Sequence, residues 1–163
     1  MTPCGTLTFY CGKMAAGKST KSQAFAQEHN AVLVSEDEWL NALYPEQIKN
    51  VQDYLKFSAL LKPLLQKHVQ NILQSGSSVV MDFPANTRDQ RQWFLQIAQS
   101  AGAPHHMFYL DISDEQCLQQ LAQRRTQQPE RAKFDTPETF QLISGFFETP
   151  DRHEALNIEV LRG

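Results

Sequence analysis

The chain has 163 residues, 41% hydrophobic and 20% charged, with a formal net charge of -3. These values exclude a disordered chain, and a chain of this length buries about 70% of its unfolded surface without needing staples. The acidic balance weighs against a dedicated nucleic-acid binder, which carries a basic excess, and leaves room only for a local basic groove.

Thr6 to Cys11 is short, β-branched and aromatic and reads as a strand that stops at glycine. Helix formers follow from Lys18 to His29. Ala31 to Val34 is a second apolar run, expected as a strand buried on both faces. Trp39, Leu40, Leu43 and Tyr44 recur at helical spacing, and Val51 to Leu73 continues that period through one long helical region containing Pro63. Ser78 to Phe83 is a third strand. Thr87 to Gln90 and Ser113 to Gln116 match the capping box and open helices on either side of a fourth strand, His106 to Ile112. Thr136-Pro137 opens one more helix, and Asn157 to Leu161 is a fifth strand. Strands alternating with helices predict a parallel sheet in one α/β domain over residues 1–163.

Cys4, Cys11 and Cys117 have no C-x-x-C or zinc spacing, which fits free thiols in a reducing compartment. No segment reads as a secretion signal or as the roughly 18 apolar residues of a membrane span, so the expected location is cytoplasmic and no membrane partner is expected.

Gly12-Lys13-Met14-Ala15-Ala16-Gly17-Lys18-Ser19 matches G-x-x-x-x-G-K-[ST], between a strand and a helix. Glycine permits the tight turn that aims successive N–H groups at a phosphate, and the following helix adds its positive end. Lys18 is suited to the β- and γ-phosphates, Ser19 to magnesium, and Thr20 extends the nucleotide-binding set. ATP and Mg2+ are the expected cofactors.

Asp37 follows the second strand, where parallel sheets open their ligand crevice; its carboxylate suits either the acceptor's proton or a metal-bound water. Asp82 closes the third strand and suits a magnesium role or an acceptor contact. Asn86, Arg88 and Arg91 are candidates for the acceptor side, the two arginines also being compatible with a solvated helix face. Arg124, Arg125 and Arg131 flank a polar stretch and suit a lid that closes over phosphates, at about residues 124–136. Phe134, Phe140, Phe146 and Phe147 read as core.

In order and spacing these positions resemble the lid-containing small kinases of the P-loop fold. That branch includes predicted ATP-dependent kinases, the phage-type polynucleotide 5′-kinase domain, chloramphenicol phosphotransferase and zeta-toxin-like kinases. The likeness covers nearly the whole chain and includes Phe147-Glu148-Thr149-Pro150. It implies a three-layer fold with strand order 2-3-1-4-5. It also implies Asp37 as general base, Asp82 by the acceptor or the metal, and lid arginines around ATP, with Arg125 and Arg131 acting on the phosphates in catalysis. Two positions depart from the pattern. Leu40 stands where polynucleotide kinases carry an arginine for the acceptor phosphate, and Gln120 or Leu121 stands where many lids carry another.

Three functions follow for comparison. The first is an ATP-dependent kinase of a small hydroxylated molecule. The others are a nucleotide-dependent switch that hydrolyses ATP slowly, and a polynucleotide or tRNA end kinase. The acceptor pocket is expected from the helical insert at Asn41 to Gln74.

Overall fold

The computed structural model describes residues 3–132 and 134–163. Five parallel strands, β1 (Leu7–Cys11), β2 (Val32–Ser35), β3 (Val79–Asp82), β4 (His105–Asp111) and β5 (Ile158–Arg162), form one sheet in the order β2-β3-β1-β4-β5. This is the expected order. Helix α1 (Lys18–Glu28), α5 (Asp114–Gln127) and α6 (Pro137–Ser144) share one apolar cluster, and α3 (Val51–Gln74) and α4 (Arg88–Ala101) share the other.

The central strands show why both faces are covered. On β1, Leu7, Phe9 and Cys11 enter the α3–α4 cluster while Tyr10 enters the α1–α5 cluster, the two-residue alternation of a pleated strand. On β3, Val79 and Met81 face one way and Val80 the other. Phe9 stacks on Phe94 with ring centroids 4.2 Å apart, joining β1 to α4.

Three expectations need correction. β2 is not buried on both faces: it is the sheet edge, and Val32 is 42% exposed. The helical insert is not continuous, because α2 (Glu36–Leu43) stops before Pro45 and α3 starts anew at Val51. Proline disfavours the helical conformation of the residue before it, and Tyr44 is non-helical with ψ 57; Asn50 then caps α3 by accepting the Asp53 N–H at 2.8 Å. The phenylalanines also divide, since Phe140 is fully buried and Phe146 is exposed.

The capping residues open their helices, although at Ser113 only the hydroxyl half of the expected box forms. Thr87 and Gln90 form both halves of the α4 box, Ser113 takes the Gln116 N–H, and Thr136 takes the Thr139 N–H. Gly102 ends α4 in the left-handed conformation at φ 70. Among the described residues, no helix is long and apolar enough to cross a membrane.

Candidate active site

The loop from Gly12 to Ser19 leaves the buried end of β1 and enters α1. Ala15 and Gly17 both take left-handed conformations, at φ 62 and φ 106, which turn the chain sharply within three residues. Gly17 caps α1 without a side chain, and the first turn holds no acid. The orphan N–H groups and positive end of α1 are therefore left to an external anion. Gly12 donates its N–H to Asn86 Oδ1 at 3.2 Å. A Cβ at Gly12 would lie 3.1 Å from Leu110 Cβ and 3.2 Å from Ala16 Cβ, so the close approach favours glycine.

Lys18 folds back and donates from Nζ to the Gly12 carbonyl at 2.5 Å. Burial pushes its ammonium below the ordinary lysine range, while Cys11 and Asp82 act to raise it and Arg124 lowers it further. Beneath the loop, burial raises the Cys11 thiol to about 11, against the opposing charges of Arg91 and Lys18. Such a thiol is inert at neutral pH.

Parallel pairing sets Ser35 opposite Asp82, so the carboxyl ends of β2 and β3 lie side by side. Burial raises the Asp82 carboxyl above the usual range, the Asp37 charge adding to that and the neighbouring Ser19 hydroxyl and Lys18 opposing it. No cluster of three His, Cys, Asp or Glu side chains is arranged to hold a metal among the described residues. The Ser19–Asp82 pair instead fits magnesium, a hard cation that takes few protein oxygens and completes its shell with water and phosphate.

Asp37 lies in the first turn of α2, where its side chain is 63% exposed. Its neighbour Glu36 turns inward, accepting hydrogen bonds from Tyr54 and, at 2.8 Å, from Ser58. Burial raises the Glu36 carboxyl, against those two hydrogen bonds. Glu36 thus ties α2 to α3, while Asp37 is left exposed beside Arg131.

In the lid segment the structure separates the three arginines. Arg124 makes a two-bond fork with Asp135, at 2.7 and 2.8 Å. Arg131 donates from Nε to Asp135 Oδ2 at 3.2 Å, and its Nη1 lies 3.8 Å from Asp37 Oδ2. Arg125 is exposed, with no partner among the described residues. The arginines brought towards the loop and Asp37 are therefore Arg124 and Arg131. Residue 133, inside the expected lid, lies outside the described residues.

On the acceptor side, Arg91 is not solvated, as a helix-surface arginine would be. It is fully buried and forked to Glu154 at 2.7 and 3.2 Å, with Nη1 donating to the Ala85 carbonyl at 3.0 Å. Arg88 is exposed and paired with Asp151, and its N–H donates to Glu148 Oε1 at 3.3 Å. Asn86 is spent on Gly12, with its own N–H held by Gln90 and its carbonyl by Glu148. Leu40, the position of the missing arginine, is 2% exposed and part of the core. On the other flank of the loop a cleft of about 560 Å³ is bounded by Gly17, Thr20, Ile112, Gln116, Gln120 and Leu161, wide enough for a planar base.

Asp135, Glu36 and Glu154 were not singled out in the sequence. Asp135 carried one weak signal, a carboxylate four residues after Arg131 at helical spacing. Glu154 carried none, 63 residues from its partner.

The family model described as an AAA domain matches residues 7–149. No curated protein is similar enough in sequence to match the chain. Among solved structures, a protein of Chloroflexus aurantiacus with a provisional kinase description superposes with a TM-score of 0.77 at 18% identity, over 99% of this chain and 87% of that one. The Mycobacterium tuberculosis APS kinase CysC, in complex with AMPPNP and APS, gives 0.68 at 15% identity, over 98% and 89%. Kti12 of Chaetomium thermophilum, in complex with ADP-AlF3, gives 0.69 at 13%, over 96% and 88%. At these identities the likeness shows a shared fold.

Proposed function

This chain belongs to the AAA domain family, whose model spans residues 7–149, and from that premise we propose that it is an ATP-dependent phosphotransferase acting on a hydroxyl of a small, uncharged acceptor. The observation that carries the reading is the division of labour between two carboxylates. Asp82 is half-buried next to Ser19 and Lys18, while Asp37 stands exposed beside Arg131 at the same carboxyl end of the sheet. That is the arrangement expected of one metal-shell acid and one base.

In this reading the β- and γ-phosphates lie in the loop, against the backbone N–H groups, the α1 N-terminus and Lys18. The base of ATP takes the cleft beside Thr20 and Gln120. Magnesium, when bound, neutralises charge on those phosphates, and Ser19 and Asp82 are the residues that would hold it. Asp37 accepts the acceptor hydroxyl's proton as that oxygen attacks the γ-phosphorus; the bond to the β-phosphate oxygen breaks and ADP leaves. Lys18, Arg124 and Arg131 stabilise the charge that develops on the moving group.

The acceptor side supports an uncharged molecule over a phosphorylated one or a nucleic-acid end. It carries the carboxylates Asp37 and Asp82, its arginine Arg88 is held by Asp151, and the position where end kinases carry a second arginine is the buried Leu40. An anion there would meet those acids, and Arg88, held by Asp151, offers it no free fork.

The test is ADP production with pooled alcohols, sugars, nucleosides and nucleic-acid ends, in the wild-type chain and in Asp37→Asn. Asparagine keeps the shape but cannot take the proton. The variant is expected to bind Mg-ATP nearly normally and to lose about 10²–10⁴-fold in transfer. Full transfer in the variant removes Asp37 as base. Loss of metal-dependent ATP binding makes it a magnesium-shell residue instead.

A further inference from the structure

Asp135 is fully buried, although it belongs to a surface segment in which residues 125–130 are all exposed. A buried carboxylate is costly unless paired and hydrogen-bonded, so its surroundings have to be built for it. They are. The Asp135 N–H and the Phe134 N–H both donate to the Arg131 carbonyl at 2.9 Å, closing a turn that drives the side chain inward. Thr136, the next residue, caps α6. Asp135 therefore stands between the short turn Pro129–Arg131 and α6.

The manner of the grip is informative. Guanidinium has five N–H donors in a planar fork. Asp135 takes Nε and Nη2 of Arg124 and only Nε of Arg131. Nη1 of Arg124 and Nη2 of Arg131 keep their donors for another partner, and both side chains are partly exposed, at 27% and 35%. Charge points the same way. The charge of Arg124 acts on Lys18, and Arg124 and Arg131 meet at one carboxylate, so like charges resist the arrangement. A carboxylate between two of them offsets the repulsion without covering the edges that would meet a phosphate.

We propose that Asp135 is a positioning residue for phosphoryl transfer, holding Arg124 towards the phosphate loop and Arg131 beside Asp37 so that both guanidiniums close on the transferring phosphoryl group. The inference rests on the phosphotransferase reading above. Asp135 acts through the arginines and does not touch the nucleotide. Its loss therefore weakens binding of the transition state much more than binding of the ground state.

The experiment uses the full chain, with Mg-ADP alone and Mg-ADP plus aluminium fluoride, which mimics the planar phosphoryl group in transfer. Wild type is expected to bind ADP more tightly with fluoride. Asp135→Asn keeps the volume and removes the charge and one acceptor oxygen. It is expected to bind ADP within about 3-fold of wild type and to lose about 10²-fold of the fluoride enhancement. Adding Asp135→Asn to an Arg124→Ala/Arg131→Ala double variant should cost nothing more, because residues acting as one unit are not additive. A folded Asp135→Asn that keeps the full enhancement, or that weakens ADP and ADP-fluoride equally, overturns the proposal while leaving the phosphotransferase reading standing. A wild-type chain that gains nothing from fluoride overturns both. Should Asp135→Asn melt without cooperativity, Asp135→Glu, which keeps the charge but moves it by one methylene, is read by the same two criteria.

Discussion

Two arginine–carboxylate forks in this molecule use the same chemistry and sit within the same site, yet they differ in which partner reaches solvent. In the pin beneath the loop, Arg91 and Glu154 are both buried, at 0% and 3% side-chain exposure, and all three guanidinium nitrogens have contacts, Nη1 to the Ala85 carbonyl and the Cys11 sulfur. In the lid the carboxylate of Asp135 is buried and the arginines are not. An arginine whose edges are all committed can only hold structure. One gripped along a single edge is aimed, with donors left over. Exposure of the arginine, and not its presence near a phosphate loop, separates a scaffold from a reactive group.

The largest effect that would break this comparison is on the pin. Arg91→Ala leaves Glu154 as a buried, unpaired charge and should cost about 3–5 kcal/mol of stability, read from urea unfolding. The Gly12 loop lies directly above, so Mg-ATP binding should weaken with it. A loss no greater than that of Arg124→Ala would dissolve the distinction between the two forks.

The next effect is on the lid. Arg124→Ala leaves Asp135 with Arg131 and room for water, so its unfolding midpoint should fall less than that of Arg91→Ala. Its turnover should fall about 10²–10³-fold, as when a charge-stabilising donor is removed. Arg125→Ala, one residue along and facing solvent, should keep turnover within about 2-fold and stability within about 0.5 kcal/mol. A large turnover loss in Arg125→Ala would show that the lid rotates on closing and exchanges its arginines.

The smallest effect is a pH dependence that sharpens the picture of the lid. Burial alone would raise the Asp135 carboxyl, but the hydrogen bonds and charges of Arg124 and Arg131 outweigh it and hold the group below the usual aspartate range. The native state then binds this proton more weakly than the unfolded chain does. The resulting stability is fully present above the unfolded aspartate value of about 4 and is lost as pH falls through the lower native value. The gap in urea midpoint between wild type and Asp135→Asn should be constant from pH 7 to about 5 and narrow in more acid solution. A gap that widens with acid would mean that the carboxyl is protonated in the native state. Asp82 has the opposite sign: its raised carboxyl should weaken magnesium-dependent ATP binding at a higher pH than an ordinary aspartate would.

Much of the architecture was legible because it is local. The phosphate loop is eight consecutive residues whose turn, glycines and following helix depend on one another and on little else, so Gly12 to Ser19 could be read from the chain. The caps at Thr87, Ser113 and Thr136 are likewise complete within four residues, and the alternation along Leu7 to Cys11 states its own two faces. Even the Pro45 break was written in the sequence, although the apolar period running past it concealed it.

What only the tertiary structure decided are the matters of burial and partnership between distant segments. Whether Ala31 to Val34 is central or an edge depends on which strand lies beyond it. Whether an arginine is pin or tool depends on a carboxylate 63 residues away for Arg91 and 11 away for Arg124. Asp37 and Glu36 are adjacent acids with the same composition around them. One turns into the core to meet Tyr54 and Ser58, and the other stands exposed beside Arg131, because successive residues on a helix point about 100° apart and only the packing of α3 tells which direction is inside. Residue type sets what a group can do chemically; the dielectric and the partners that select among those options come from the other end of the chain.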